Sequence, residues 1–305
     1  MNRRSRGQQR RLLPAAALTV AVFAASSSAP LIAYAAAPAL AVAFWRNALA
    51  TLALTPITAG PRRRELRAIG RRDRWLCVLA GVALAAHFGT WMPSVQLGSV
   101  ATATALVATQ PVWQGLIAAW QGRRPSTATW VGITVAVAGA VWATGTDVGA
   151  SSRAALADVL ALLGGIAVAV YTAFGEHLRS RLSTTTYTSI CYGVCAVVLL
   201  IVCLTVRAPL FGYARSTWAA IVAIAVGAQL LGHSMVNYAL HRTSATTVSV
   251  VILLETPGAA LLAWVWLHQL PRPAALPGIA LLLAGVAIVV IGDARAATVA
   301  PAAPP

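Results

Sequence analysis

Ten apolar stretches, each about eighteen to twenty-three residues long and separated by short segments that hold nearly all the arginines, constrain this chain more than any other feature. They run at about 12–34, 38–58, 75–94, 100–120, 128–145, 156–176, 185–206, 218–240, 246–267 and 275–292. A helix rising 1.5 Å per residue needs about twenty apolar residues to cross about 30 Å of hydrocarbon, so each stretch suffices for one crossing. Within that layer no water is available to backbone N–H and C=O groups, which leaves helices or closed barrels, and runs of this length select helices. Composition agrees: 59% of the 305 residues are hydrophobic and 10% are charged, with a mean hydropathy of +0.75. Soluble domains carry about 25% charged residues. Two soluble domains, the other organisation that this length allows, would have no need of such runs.

A net charge of +16 ordinarily points to nucleic acid. Here the distribution of the charge points to topology instead. All 23 basic residues are arginine. With ten spans and a cytoplasmic N-terminus, eighteen of them fall on the cytoplasmic side, seven of these in the loop at residues 60–74. Four fall outside (Arg153, Arg207, Arg215, Arg272), and Arg46 lies within the second span. This is the positive-inside asymmetry, and it places both termini in the cytoplasm of a multi-pass protein of the cell membrane. A basic surface for anionic lipid or RNA is the competing reading of residues 60–74. The first span imitates a secretory signal, but the repeat described next needs it as the partner of the sixth. Cys77, Cys191, Cys195 and Cys203 all lie inside apolar runs, without metal-ligand spacing, and read as small packing residues.

Sliding the chain against itself by 146 residues aligns Gly81 with Gly227, His87 with His233, Pro111 with Pro257, Trp120 with Trp266, Gly132 with Gly278 and Gly139 with Gly285, without gaps. Each copy holds five spans. Because five is odd, the second copy enters the membrane from the opposite face, and the copies are inverted about an axis in the membrane plane. The expected fold is therefore all-α, integral to the membrane, with ten transmembrane helices in two inverted five-helix repeats. The first repeat covers residues 1–146, the second 147–292, and a disordered tail 293–305. Such folds hold the substrate near mid-bilayer between the copies and expose it alternately to each side.

Several stretches carry a family resemblance. PALAVAFWRNALA in the second span places an aromatic and Arg46 after Pro38. SVATATALVATQPVWQGLIAAW with GITVAVAGAVWATG is echoed by SATTVSVVILLETPGAALLAWVW with GIALLLAGVAIVVIG. Over residues 12–292 the chain resembles the EamA-type transporters of the drug/metabolite transporter superfamily. That resemblance implies a ten-helix exporter. The family usually has a glutamate nine residues before the glycine of each fifth helix, where this chain has Arg123 and Gln269, so no role carries over to them.

The candidate substrate or coupling residues are polar groups that are expensive at mid-membrane, about 2.5 to 3.5 kcal/mol for a charged one. Glu255 sits near the middle of span nine, either as a cavity-facing proton carrier or amine partner, or as half of a structural pair with Arg46. Arg46 does not shed its charge and must pair, snorkel or contact an anionic group. His87 and His233, symmetry mates expected on opposite sides of the midplane, can relay protons or bond neighbouring helices. Gln229, His233 and Asn237, at intervals of four, form one polar stripe on span eight. Gln110 joins the midplane set, Trp91 and Trp45 suit cavity walls, and Pro111 and Pro257 suit hinges that free the carbonyls of Val107 and Leu253. The seven-residue glycine spacings of spans five and ten predict tight packing.

The expected function is a secondary transporter exporting small metabolites, amino acids or related amphipathic compounds, with proton coupling as an option. Broad drug efflux is the near alternative; 7% aromatic residues and three methionines count modestly against it. A membrane-embedded transferase would need clustered carboxylates or a nucleophile beside a base, and neither is found, so no enzymatic activity is expected. The expected partners are the lipid bilayer and a small-molecule substrate, with no nucleic acid, metal or cofactor. A homodimer is compatible with the sequence.

Overall fold

The computed structural model describes residues 3–98, 103, 106–123, 125–144, 152–267 and 276–299. Their regular structure is helical throughout: α1 (Arg3–Ser26), α2 (Ser28–Tyr34), α3 (Ala39–Ala59), α4 (Arg63–Ala68), α5 (Arg71–Leu97), α6 (Gln110–Trp120), α7 (Thr127–Thr144), α8 (Ser152–Arg179), α9 (Thr184–Thr205), α10 (Arg215–Ile224), a π-helical segment (Ala225–His233), α11 (Ser234–Ala239), α12 (Ala245–Ile252), α13 (Glu255–Leu267) and α14 (Leu276–Val299). Among these residues six helices are long and apolar enough to cross a membrane, corresponding to spans one, two, three, six, seven and eight. Spans five, nine and ten contain shorter apolar helices, and span four runs partly outside the described residues. The chain is an all-α membrane protein. α14 continues to Val299, so residues 293–299, expected as disordered tail, are helical; Gln269 and Arg272 lie outside the described residues.

The inversion is visible in how the glycine helices meet. A Cβ on Gly132 would stand 2.9 Å from the Gly285 carbonyl, and one on Gly139 2.6 Å from the Gly278 carbonyl. Advancing along α7 means retreating along α14, so the pair is antiparallel. At the 146-residue offset Gly132 corresponds to Gly278 and Gly139 to Gly285, so each contact is the image of the other. Only a two-fold axis perpendicular to both helices produces that. The remaining pairings obey the same exchange: α5 packs along α8, as α1 packs along the π segment and α11, while α3 and α9 pair across the axis.

Two spans are broken rather than bent. In span four a turn at residues 108–109 precedes α6, and in span nine a turn at 253–254 precedes α13. Pro111 and Pro257 therefore sit in the first turns of new helices, where a missing N–H leaves no intrahelical bond unmade. This corrects the expectation of a freed carbonyl at Leu253, which accepts from Thr256 N–H at 3.0 Å. Span eight departs from the α-helix in the other direction. In its π segment, residues five apart share a face, and the Tyr192 hydroxyl meets both the Gln229 carbonyl (3.3 Å) and Ser234 Oγ (3.1 Å).

Three polar links cross between the copies at the arginine-rich end. Glu65 accepts from the Ser183 backbone N–H (2.6 Å) and hydroxyl (2.7 Å), Arg181 approaches Asp73 at 3.6 Å, and Arg123 grips both oxygens of Glu176 at 2.6 and 2.8 Å. Partly exposed pairs like these contribute about 0 to 1 kcal/mol each, so they set register more than stability.

Gly139→Val places its branch against the backbone of α14, which cannot yield as a side chain would, and should destabilise the protein by about 1–3 kcal/mol in a detergent melt. Gly70→Ala, at a position with no atom within 4 Å of the added carbon, should leave the melt unchanged. Partial burial pushes the Glu65 carboxyl up, but the bonds from Ser183 and Thr186 and the nearby Arg62 more than reverse this, holding it below its ordinary value of 4.5. Its contribution is therefore complete above pH 4.5 and lost as pH falls through the lower folded value. The melting difference between wild type and Glu65→Gln should be constant near neutrality and close in acid.

Candidate functional site

Arg46 projects from α3 into the centre of the bundle and is 1% exposed. Burying a permanent charge demands dipoles or a counter-charge. Its Nε donates to Gln229 Oε1 at 2.8 Å and one terminal nitrogen to Ser28 Oγ at 3.5 Å, while the guanidinium lies 4.2 Å from the centre of the Phe88 ring. Gln229 is held in turn by donating to Asn47 Oδ1 at 2.9 Å. Among the described residues no carboxylate stands within 4.0 Å of Arg46. The structural Arg46–Glu255 pair, one of the two readings above, is not formed.

Arg46 and Glu255 instead line one cavity of about 90 Å³, together with His87, His233, Trp91 and Gln110. A water needs about 10–15 Å³, so there is room for several waters or a small solute, and too little for the 300–1,000 Å³ that drug-sized ligands occupy. Glu255 opens α13, where the positive end of the helix favours its carboxylate. Its backbone carbonyl lies 3.4 Å from Ser26 Oγ of the first span. His87 is fixed by the carbonyl of Gly164, 2.9 Å from Nδ1. A carbonyl only accepts, so Nδ1 carries the proton and Nε2 keeps its lone pair in the neutral ring. Gly164 makes this possible: a Cβ there would be 2.9 Å from that of Trp91, so α8 comes close enough to offer its carbonyl.

Aromatic rings complete the wall. His87 and Trp91 stack at 5.7 Å and 4°, and the ring centres of His87 and His233 are 6.4 Å apart. Trp91 is 8% exposed and its indole N–H has no acceptor among the described residues, which leaves a buried donor beside the cavity for a solute to satisfy. Gln110 donates to Thr172 Oγ1 at 3.3 Å.

The polar stripe of span eight is divided by the π segment. Gln229 faces Arg46 and His233 faces the cavity, whereas Asn237 lies behind the wall, donating to the Tyr171 hydroxyl at 2.6 Å. Trp45 is not a cavity residue: its indole donates to the Leu210 carbonyl at 2.8 Å among Phe211 and Trp218, at the far end of α3 from the arginine loop. Sequence reasoning missed Tyr171, Phe88 and Ser28, all of which line the cavity. A tyrosine and a neighbouring threonine within span six were the available signal for the first, and nothing in the sequence distinguishes Phe88 from packing. Among the described residues, no three His, Cys, Asp or Glu side chains gather as a metal site requires.

Comparison with known proteins bears on this geometry. The model of the EamA-like transporter family matches residues 12–145 and again residues 155–291. A "Probable terminal-alkyne amino-acid exporter" of Streptantibioticus cattleyicolor is 29% identical over 255 residues, covering 80% of this chain and 81% of its own. A crystal structure of a protein 17% identical in sequence covers 93% of this chain and 98% of the other with a TM-score of 0.74, a likeness of fold.

Gln229→Leu tests the burial of Arg46. It keeps volume and removes the acceptor, leaving a buried guanidinium nitrogen unbonded, so a detergent melt should show a loss of about 1–3 kcal/mol or more.

Proposed function

This chain belongs to the EamA-like transporter family, and from that premise we propose that it exports a small zwitterionic metabolite, with α-amino acids the leading class, by alternating access. The observation that carries this reading is the separation of charge within one cavity. Arg46 and Glu255 share its wall without pairing with each other. An α-amino acid carries one charge of each sign on the two sides of a single carbon, so its carboxylate suits Arg46 and its ammonium suits Glu255. Trp91 N–H and the stacked rings remain for the side chain. The relative named as a probable terminal-alkyne amino-acid exporter supports the same substrate class. The cavity's small volume favours metabolites over broad drug efflux.

Alternating access follows from the inverted copies: rocking one against the other about the broken spans would open the cavity first to one side and then to the other. The arginine loop orients that motion with both termini in the cytoplasm of the cell membrane. Glu255 doubles as the coupling group in this reading. A carboxyl that binds either a proton or an ammonium exchanges one for the other, and His87 and His233 offer further proton sites beside it.

The test is counterflow of labelled amino acids, their amides and cationic dyes in proteoliposomes, with and without an imposed pH gradient. Wild type should move amino acids, faster with the gradient, and dyes little. Glu255→Gln should lower the rate about tenfold or more, the equivalent of ~1.4 kcal/mol, and remove the response to the gradient. Wild-type rate and pH response in Glu255→Gln would end the coupling proposal. Preferential movement of dyes would favour drug efflux.

A further inference from the structure

A second recess lies apart from the central cavity. A groove of about 720 Å³ lies where α5, α6 and α8 meet at the arginine-loop end. Its inner wall is apolar, built from Leu76, Ile117, Val170 and Phe174, and Trp120 stands at its edge with 88% of its surface exposed. Its mouth is cationic. Arg123 there is committed to Glu176 through two bonds, but Arg72 is exposed, with no carboxylate within 4.0 Å and no hydrogen-bond acceptor among the described residues. Outside the groove's lining, α4 and the first turn of α5 carry Arg63, Arg64, Arg67 and Arg71, all without ion pairs among the described residues.

We infer that this groove binds one anionic phospholipid, its phosphate at Arg72 and an acyl chain along the wall beneath Trp120. Three observations converge on that chemistry. A groove apolar along its depth and cationic at its mouth matches an amphiphile with a negative head. A tryptophan at a helix end marks the depth at which headgroups begin. The surrounding arginine excess gives a negative headgroup an advantage over a zwitterionic one, and basic pockets between transmembrane helices recognise anionic headgroups in this way. The inference needs only that the chain is embedded in a bilayer, so it stands apart from the substrate reading. It has a consequence for the site nonetheless: α5 carries His87 and Trp91, and α8 carries Tyr171, so a lipid seated in the groove against both helices would brace two walls of the cavity.

Native mass spectrometry tests it on the full chain released from vesicles of phosphatidylcholine mixed with phosphatidylglycerol, with no transport substrate present. Wild type should retain one phosphatidylglycerol in preference to phosphatidylcholine. Arg72→Gln should reduce the retained fraction about tenfold, as expected for loss of one charge-assisted contact. Trp120→Ala should also reduce it, while Leu52→Ala, at a lipid-exposed position on α3, should not. Soluble glycerol phosphate should fail to displace the lipid, since it lacks the chain. Equal retention of the two lipids, unchanged retention in Arg72→Gln, or displacement by glycerol phosphate would each overturn the assignment.

Discussion

The structure is organised around a charge that cannot be neutralised. Arg46 keeps its proton in any environment a protein offers, and here it is withdrawn from water without a carboxylate beside it. It is held instead by dipoles and a ring: Gln229 from the eighth span, Ser28 from the first and Phe88 from the third. Four spans are thereby fixed to one guanidinium. The π-helical segment belongs to this arrangement, because its wider turn lets Gln229 face Arg46 while His233 faces the cavity. An arginine satisfied by neutral groups keeps its net charge, and Arg46 carries that charge in the cavity wall.

The scaffold is symmetric and the chemistry is not. At the 146-residue offset His87 and His233 correspond and meet near the axis, and the broken spans four and nine correspond as well. Arg46, however, corresponds to Tyr192, Glu255 to Thr109 and Trp91 to Asn237. One copy supplies the cation and the other the carboxyl. In the proposed cycle the inverted copies would rock between two states of similar energy because their interfaces exchange with one another, while the unequal polar residues would hold a solute in a single orientation. The same division explains why Asn237 lies behind the wall: Tyr171 stands between it and the space that Trp91 reaches directly.

The fold was legible in the sequence because burying twenty apolar residues in lipid leaves few options, and because glycine, proline and histidine are rare enough for a fixed offset to stand out. The residues that line the cavity were legible in part for the same reason: Arg46 and Glu255 are conspicuous in a stretch where charge is costly. What could not be read was geometry that depends on neighbours. The sequence marks Pro257 as a perturbation but cannot distinguish a bend from a fresh start, which the Thr256 to Leu253 bond decides. It places Gln229, His233 and Asn237 on one face only if the helix is α throughout. Tyr171, Phe88 and Trp45 are aromatic residues in apolar runs, and pattern alone does not separate a cavity wall from packing.

The most direct test of the role given to Arg46 is calorimetric binding of an amino acid and of its carboxamide, which differ only in the charge that Arg46 would meet. Wild type should bind the acid more tightly than the amide, and Arg46→Gln should erase that difference by weakening the acid alone. Equal weakening of both ligands by Arg46→Gln, or no preference in the wild type, would contradict the account and leave Arg46 a structural tie.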